Sequence, residues 1–321
     1  MGRRDETFDD YVARKEAEAA RADLSPFVTE VDQPPADVIP VGNAWTRRMF
    51  DGPFYVSTSP SNEQHPDPGP DPGPDPGPDP GTDPGTDPGP DPGTELPSTS
   101  LVFVRSRDGN TVATDPSSLG GGEADKHLIY EGLSRVAADA VMAGAETVRG
   151  GRIVLSVWHP ELVALRASLR LPRHPVQIVA TLRGLDFRGR LFDTPQLRVV
   201  VVTVGACTEL MITPVANRPW TTVLTMPTAR DLPYVFQRLR DMGIARISCI
   251  GGRTIARQLI DAGLIQDLYL TTSAKNGGEP GTPLSPRPLN GDLVVRKRGT
   301  GPDEGVIFEQ LRLRSRLRSE S

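Results

Sequence analysis

The sequence is poor in the residues from which catalytic centres are usually assembled. Its 321 residues include two cysteines and four histidines, and aromatic side chains make up only 5%. Cys207 and Cys249 lie in separate apolar runs without C-x-x-C spacing. They read as buried, reduced thiols rather than a disulfide or a nucleophile. His65, His127, His159 and His174 are scattered, with no His-x-x-x-His pair or Cys/His cluster to hold a metal. No serine occupies a G-x-S-x-G elbow, which removes the common hydrolase arrangement. Long hydrophobic runs are missing too. The longest, Val199 to Val204, is far too short to span a bilayer, and the opening M-G-R-R-D-E-T-F-D-D-Y has no apolar signal segment, so no membrane association and a cytoplasmic location are expected.

The overall hydrophobic content, 37%, is low for a packed chain, and the deficit has a local cause. His65 to Thr94 is built from P-D-P-G and G-T-D-P units. Proline fixes φ and donates no hydrogen bond, glycine loses most entropy on ordering, and the aspartates repel one another, so the segment is expected to be a disordered insert. It also sets the charge. Its seven aspartates, taken from the 41 acidic residues, leave 34 against 36 basic ones, so the chain's net charge of −5 becomes +2 without it. A near-neutral body gives no electrostatic reason to expect nucleic-acid binding.

Five stretches follow from composition: a charged N-terminal segment (1–37), an aromatic segment (38–60), the Pro/Asp/Gly-rich insert (61–98), a main domain (99–314) and a tail (315–321). Arg3 to Ala22 is charged and alanine-rich, and reads as a solvated helix that need not belong to the fold. Trp45, Met49, Phe50, Phe54 and Tyr55 concentrate apolar area in a chain that has little of it, so their segment is expected to dock on the main domain.

From Leu101 the pattern alternates between strand and helix. Strands are expected at Leu101 to Ser106, Ala140 to Ala143, Val176 to Ala180, Leu197 to Thr203, Thr221 to Leu224, Ile247 to Ile250 and Leu268 to Ser273. Helices fit Asp125 to Ala138, Pro160 to Arg170, Leu232 to Met242 and Thr254 to Ala262. Short continuous runs such as R-V-V-V-V-T suit a sheet covered on both faces. The expected fold class is therefore α/β, a mostly parallel central sheet flanked by helices. The period-two runs L-V-V-R-K-R-G and V-I-F-E-Q-L-R-L-R, around a Gly/Pro/Asp turn, add an antiparallel C-terminal hairpin at an edge.

One stretch carries most of the chemistry. In A-R-I-S-C-I-G-G-R-T-I-A-R-Q-L-I-D-A-G, Ala245 to Gly263, a β-rich run meets Gly251-Gly252 and then a helical pattern. Residues without Cβ let a phosphate approach the backbone, and the free N–H groups of a helix's first turn point at the anion. An ordinary tight turn has the same signature.

Three further motifs accompany it: S-R-D-G at Ser106 to Gly109, R-V-A-A-D-A-V-M-A-G-A-E-T-V-R-G at Arg135 to Gly150, and D-L-Y-L-T-T-S-A-K-N-G-G-E-P-G-T-P-L at Asp267 to Leu284. In this order they resemble the reductase domain of the riboflavin-pathway deaminase-reductases, a family with the dihydrofolate-reductase-like fold. The resemblance runs from about Leu101 to Leu311.

The resemblance implies NADPH across the carboxyl ends of the sheet, with Gly251, Gly252, Arg253, Thr254 and Ile255 at its diphosphate and Gly144, Ala145 and Thr147 on the nicotinamide side. It suggests Thr203 for the adenosine end. The implied substrate is a small molecule, a ribosylamino-pyrimidine phosphate, with Arg135 on its phosphate, Ser106 beside it and Asp108 assisting proton transfer. A homodimer is implied as well, with the C-terminal hairpin as a candidate surface. A zinc deaminase would require H-x-E with P-C-x-x-C, which two isolated cysteines do not supply.

The sequence departs from the family where a glutamate usually precedes the paired glycines, here Ile250, and where an aspartate usually follows the G-A-x-T-V threonine, here Gly151. The cofactor half is thus better preserved than the substrate half. An NADPH-dependent reductase is the leading expectation. A catalytically degenerate NADP-binding or adaptor protein, and a scaffold whose function lies in the repeat, remain as alternatives.

Overall fold

The computed structural model describes residues 6–57, 96–113, 119–149 and 153–314. The P-D-P-G insert, Gly151 and the expected tail lie outside the described residues.

The chain begins with α1 (Phe8–Ala20), β1 (Phe27–Asp32), β2 (Val38–Val41), α2 (Ala44–Met49) and β3 (Phe54–Ser57). After the insert come β4 (Ser98–Arg105) and a helix, α3, made of one α-turn (Gly122–Ala124) that runs into a π-helix (Asp125–Leu133). Then follow β5 (Ala140–Gly144), α4 (Pro160–Ser168), β6 (Val176–Ala180), α5 (Arg190–Asp193), β7 (Val199–Val204) and α6 (Gly205–Ala216). The last elements are β8 (Thr221–Met226), α7 (Leu232–Asp241), β9 (Arg246–Cys249), α8 (Arg253–Asp261), β10 (Asp267–Thr272), β11 (Gly291–Gly299) and β12 (Ile307–Leu313).

One ten-stranded sheet has the order β1-β11-β12-β10-β4-β9-β5-β6-β7-β8. From β10 to β8 the strands are parallel, and β12, β11 and β1 add antiparallel ladders at the β10 side. Chain order places β9 between β4 and β5 on its return from β8, so the strand order reverses there. In open α/β sheets ligands bind at the carboxyl ends of strands beside such a reversal.

Both faces are covered, as the Val/Ile runs require. On one face Val235, Leu239, Ile255 and Leu259 of α7 and α8 pack on Leu101, Met142 and Val200. On the other, Leu128 and Leu133 of α3 meet Val102, Tyr269 and Phe308. The rest of that face holds Val141, Ala143 and Val201 against Trp158, Phe192 and Met211.

The aromatic segment docks as its composition demands. Trp45, Phe50 and Phe54 are buried in the α3-side cluster, and Asn43 and Thr46 close a capping box at the start of α2. Each such side chain contributes roughly 1.5–3 kcal/mol through removal from water.

Several features differ from the sequence expectation. The N-terminal helix is part of the fold: Tyr11 packs edge-on to Trp158 at 5.6 Å, and Glu16 pairs with Arg173 at 2.6 Å. Few apolar residues suffice because only one side of the helix is buried, at Tyr11 and Ala19, while its outer side stays in solvent. The C-terminal hairpin is present, but β1 pairs with β11 and closes its outer edge. The outer edge of the hairpin is therefore taken by the chain's own N-terminal region. The expected regular helix over Asp125 to Ala138 is wound as a π-helix. At Gly132 a Cβ would lie 3.0 Å from the His127 carbonyl oxygen and from Leu162 Cδ1, so glycine spares the turn two tight contacts. Among the described residues no helix is long and apolar enough to cross a membrane.

Candidate active site

The paired glycines are held by conformation as well as by space. Gly251 has φ +94° and Gly252 φ +64°, the left-handed region that favours glycine. A Cβ on Gly251 would lie 3.1 Å from the Phe103 ring. Immediately after them α8 starts at Arg253, its N-cap residue Gly252 offering no side-chain cap. Its first intrahelical bond is from the Ala256 amide to the Gly252 carbonyl at 3.0 Å. The amides of Arg253, Thr254 and Ile255 thus precede the first donor of the helix and are the groups a helix N-terminus offers to an anion. Arg253 and Thr254 are exposed, whereas the Ile255 side chain is 6% exposed and anchors the helix in the core.

The second glycine turn meets the first. Gly144, the last residue of β5, donates its amide to the Gly251 carbonyl at 3.1 Å, and Thr147 donates back to the Gly144 carbonyl at 3.0 Å. Ala145 is tied to Ala180 of β6 at 2.9 Å. A Cβ at Gly252 would stand 3.8 Å from the Thr147 hydroxyl and 3.9 Å from the Gly144 Cα. Residues more than a hundred positions apart therefore form one rim at the carboxyl ends of β5 and β9, whose strands are neighbours. Glycine at 144 and 252 leaves that rim without side-chain bulk.

Other expected site residues are placed differently. Arg135 stands at the C-terminal end of α3, just ahead of β5, and so at the amino end of the sheet. A helix that crosses back to a parallel strand ends at that strand's start, which fixes this position. Its guanidinium is 2% exposed, donates to the Ser156 carbonyl at 2.9 Å and lies 3.9 Å over the Tyr130 ring. Its Nε and Nη2 are buried and meet no hydrogen-bond partner among the described residues.

Ser106 is also buried, at 1% exposed, and donates to Asp108 at 2.6 Å while accepting from the Asn110 amide at 3.0 Å. Asp108 further accepts from the Gly277 amide at 3.2 Å and the Asn110 side chain at 3.2 Å. These bonds fasten the turn after β4 to the loop after β10, and Ser106, with Gly277, holds the Asp108 carboxyl below its usual range. A carboxylate so stabilised is a poor proton donor. Thr203, the fifth residue of β7, is fully enclosed, and its hydroxyl reaches no surface for an adenosine. Ile250, in place of the family's glutamate, packs with Val141, Ala143 and Val148.

The sequence reading missed the titratable groups on α3. Asp125 accepts from the Thr271 hydroxyl of β10, and burial raises its carboxyl to about 6. His127 lies between Glu131, 3.0 Å from Nδ1, and Glu123, 3.3 Å from Nε2. The only sequence signal was G-G-G-E-A-D itself, because glycines ahead of an acidic turn admit a close approach. A Cβ at Gly121 would lie 2.8 Å from both Asp125 Cβ and Thr271 Cγ2.

At the opposite, amino end of the sheet lies a polar hollow lined by residues including Ser57, Ser98, Ser134, Arg246 and Asp267. Its groups satisfy one another: Ser57 donates to Asp267 at 2.6 Å and Arg246 to the Ser57 carbonyl at 3.1 Å. Among the described residues no group of His, Cys, Asp and Glu is arranged to hold a metal ion.

Comparison with known proteins bears on this arrangement. Residues 99–296 match the family model described as the RibD C-terminal domain. A pyrimidine reductase-like protein from Corynebacterium diphtheriae is similar in structure, with TM-score 0.56 and 22% identity over 68% of this chain and 92% of that one. RibD from Acinetobacter baumannii superposes with TM-score 0.53 and 19% identity over 68% of this chain and 58% of that one. At such identities the structures attest the fold, which is dihydrofolate-reductase-like. Comparison with curated protein sequences gives no match. With more than half of its length covered by that model, the chain belongs to the RibD C-terminal domain family, the reductase part of riboflavin biosynthesis proteins.

Proposed function

We propose that the protein is an NADPH-dependent reductase acting on a ribosylamino-pyrimidine phosphate or a close relative of it. The observation that carries this reading is the junction of the Gly144–Thr147 and Gly251–Gly252 turns beneath an uncapped helix start. A diphosphate fits there: no Cβ obstructs the rim, and the amides of Arg253, Thr254 and Ile255 converge with the helix dipole. The exposed Arg253 and Thr254 would add a charge and a hydroxyl, and Thr147 would flank the nicotinamide half. When bound, the cofactor supplies hydride, and the protein's part is to orient the acceptor and shield it from water. The small molecule is the partner this site serves.

Fluorescence titration with NADPH and NADH, followed by absorbance at the nicotinamide band with the pyrimidine phosphate added, tests the reading. Saturable NADPH binding and substrate-dependent oxidation are expected.

A second reading, a degenerate NADP-binding protein of the same fold, is favoured by one observation, the apolar packing of Ile250 where a substrate carboxylate is expected. Binding without oxidation would select it.

A further inference from the structure

We propose that the free edge of β8 is an interface between two copies of this chain, which pair β8 to β8 antiparallel and join their sheets into one. β6 and β7 stand between this edge and β5 of the glycine rim, and the proposal does not rest on the reductase reading.

The two ends of the ten-stranded sheet are finished differently. At β1 the edge is guarded. Its register with β11 is broken between Thr29 and Val31, it carries Glu30 and Asp32, and the Thr29 amide donates to the Asp51 carboxylate at 3.0 Å. Such devices keep an edge from recruiting another strand. β8, T-T-V-L-T-M, has no charge and no proline, and its register with β7 is continuous from Thr221 to Met226.

The ladder fixes which groups this edge presents. The Trp220 carbonyl accepts from the Val199 amide at 2.9 Å, so Trp220 and every second residue after it face β7. The backbone groups of Thr221, Val223 and Thr225 face outward, where no further strand stands among the described residues. The Thr221 amide is taken by the Arg218 carbonyl at 2.8 Å, but the amides of Val223 and Thr225 reach outward.

The flank of the edge is apolar. α6 and α7 pack on β8 from its two faces. The Thr208 hydroxyl of α6 lies 2.9 Å from the Thr225 hydroxyl, so the helix face that carries Thr208 looks toward this edge. Ile212, one turn further on the same face, is 62% exposed, and with Leu210 it is the most exposed large hydrophobic among the described residues.

A second copy fits this surface. A contact about a two-fold axis sets each patch against itself, so like charges would oppose one another, and neither the strand nor Thr208 and Ile212 carries any. With the axis through Val223, this residue exchanges both backbone bonds with its copy, and the Thr225 amide meets the copy's Thr221 carbonyl. The Ile212 side chains then flank the axis on one face. The size also suffices. Six residues at about 3.3 Å each, across a helix, the sheet and a second helix about 30 Å deep, give on the order of 600 Å² per copy. The total, about 1,200 Å², reaches the lower end of specific interfaces.

Sedimentation velocity on the full chain should show a dimer at micromolar concentration. Val223→Pro removes an outward amide and leaves the ladder to β7 intact, so it should give a monomer whose circular dichroism matches the native chain. Ile212→Glu places two carboxylates across the axis and should weaken the dimer at least tenfold. In Val223→Cys the paired Cα atoms stand about 5.5 Å apart, within reach of a disulfide. Mild oxidation should crosslink this variant and leave the native chain, whose thiols are buried, uncrosslinked. Should Val223→Pro fail to fold, Ile212→Glu and the crosslink decide. A native chain that sediments as a monomer overturns the proposal, whether its edge stays bare or takes up an extended peptide. So does a dimer that Ile212→Glu leaves as tight as before, or one in which Val223→Cys forms no disulfide.

Discussion

The Gly144 amide donates to the Gly251 carbonyl across 3.1 Å, and this bond joins the two glycine turns of the proposed cofactor rim. It is made by backbone atoms, so side-chain chemistry at either position serves access rather than attachment. That distinction separates the effects expected of the two paired glycines.

Gly251→Val combines an unfavourable φ of +94° with a Cβ 3.1 Å from the Phe103 ring. We expect it to lower stability by about 1–3 kcal/mol, read from chemical denaturation. Gly252→Ala meets nothing closer than 3.8 Å and costs about 1 kcal/mol for its φ of +64°. It should nonetheless reduce NADPH affinity at least tenfold, because the new methyl projects toward the rim. Near-native affinity in a folded Gly252→Ala protein would sink the cofactor assignment.

Asp125 gives stability a pH dependence of definite sign. Its folded value, about 6, lies above the ordinary value of 3.8. The folded state therefore binds the proton more tightly, and the associated stability is complete below 3.8 and lost as pH rises to 6. The change amounts to about 3 kcal/mol at most. The difference between urea melts of the wild type and Asp125→Asn, taken from pH 4 to pH 7, isolates it. A constant difference would show that the carboxyl is not protonated in the native protein.

His174 acts with the opposite sign. Burial, helped by Arg173 and Arg166, lowers it from 6.5 to about 4. The ring lies 5.4 Å from Phe8 and 6.0 Å from Trp158, and its Nδ1 is 2.8 Å from Ser156 Oγ. Stability from the neutral ring is complete above 6.5 and declines as pH falls toward 4, so α1 should loosen in acid. Limited proteolysis near α1 should accelerate between pH 6.5 and 4 in the wild type, and a His174→Phe variant should show a weaker acceleration. Equal pH dependence in the two would remove His174 from the account.

The thiols should be silent. Cys249 is buried in β9 and its thiol is pushed up to about 12, and Cys207 is 8% exposed with its sulfur donating to the Leu182 carbonyl at 3.2 Å. Neither presents a thiolate to a reagent. Alkylation at pH 8 should modify no thiol in the native protein and two after unfolding in denaturant. Rapid native labelling of Cys249 would mean that β9 opens more readily than its packing implies.

The sequence alone determined what depends on neighbours along the chain. The strand Val176 to Ala180 and the parallel core follow from runs of β-branched residues, and the Gly251-Gly252 bend from the absence of Cβ at a strand-to-helix junction. The two turns that hold Gly144, Thr147 and Gly252 were legible because each lies in a contiguous motif. Tertiary structure decided the rest. Arg135 carries the right charge, but helix direction sends it to the wrong end of the sheet, and no local pattern encodes that. Ser106 and Asp108 form a turn whose bonds go to Asn110 and Gly277, a partner found only through folding. Asp125 gains its character from Thr271, which is 146 positions away, and from burial that no stretch of sequence displays. Local composition sets which elements form, whereas the surroundings of a titratable group come from segments distant in sequence, and its chemistry is fixed only when they meet.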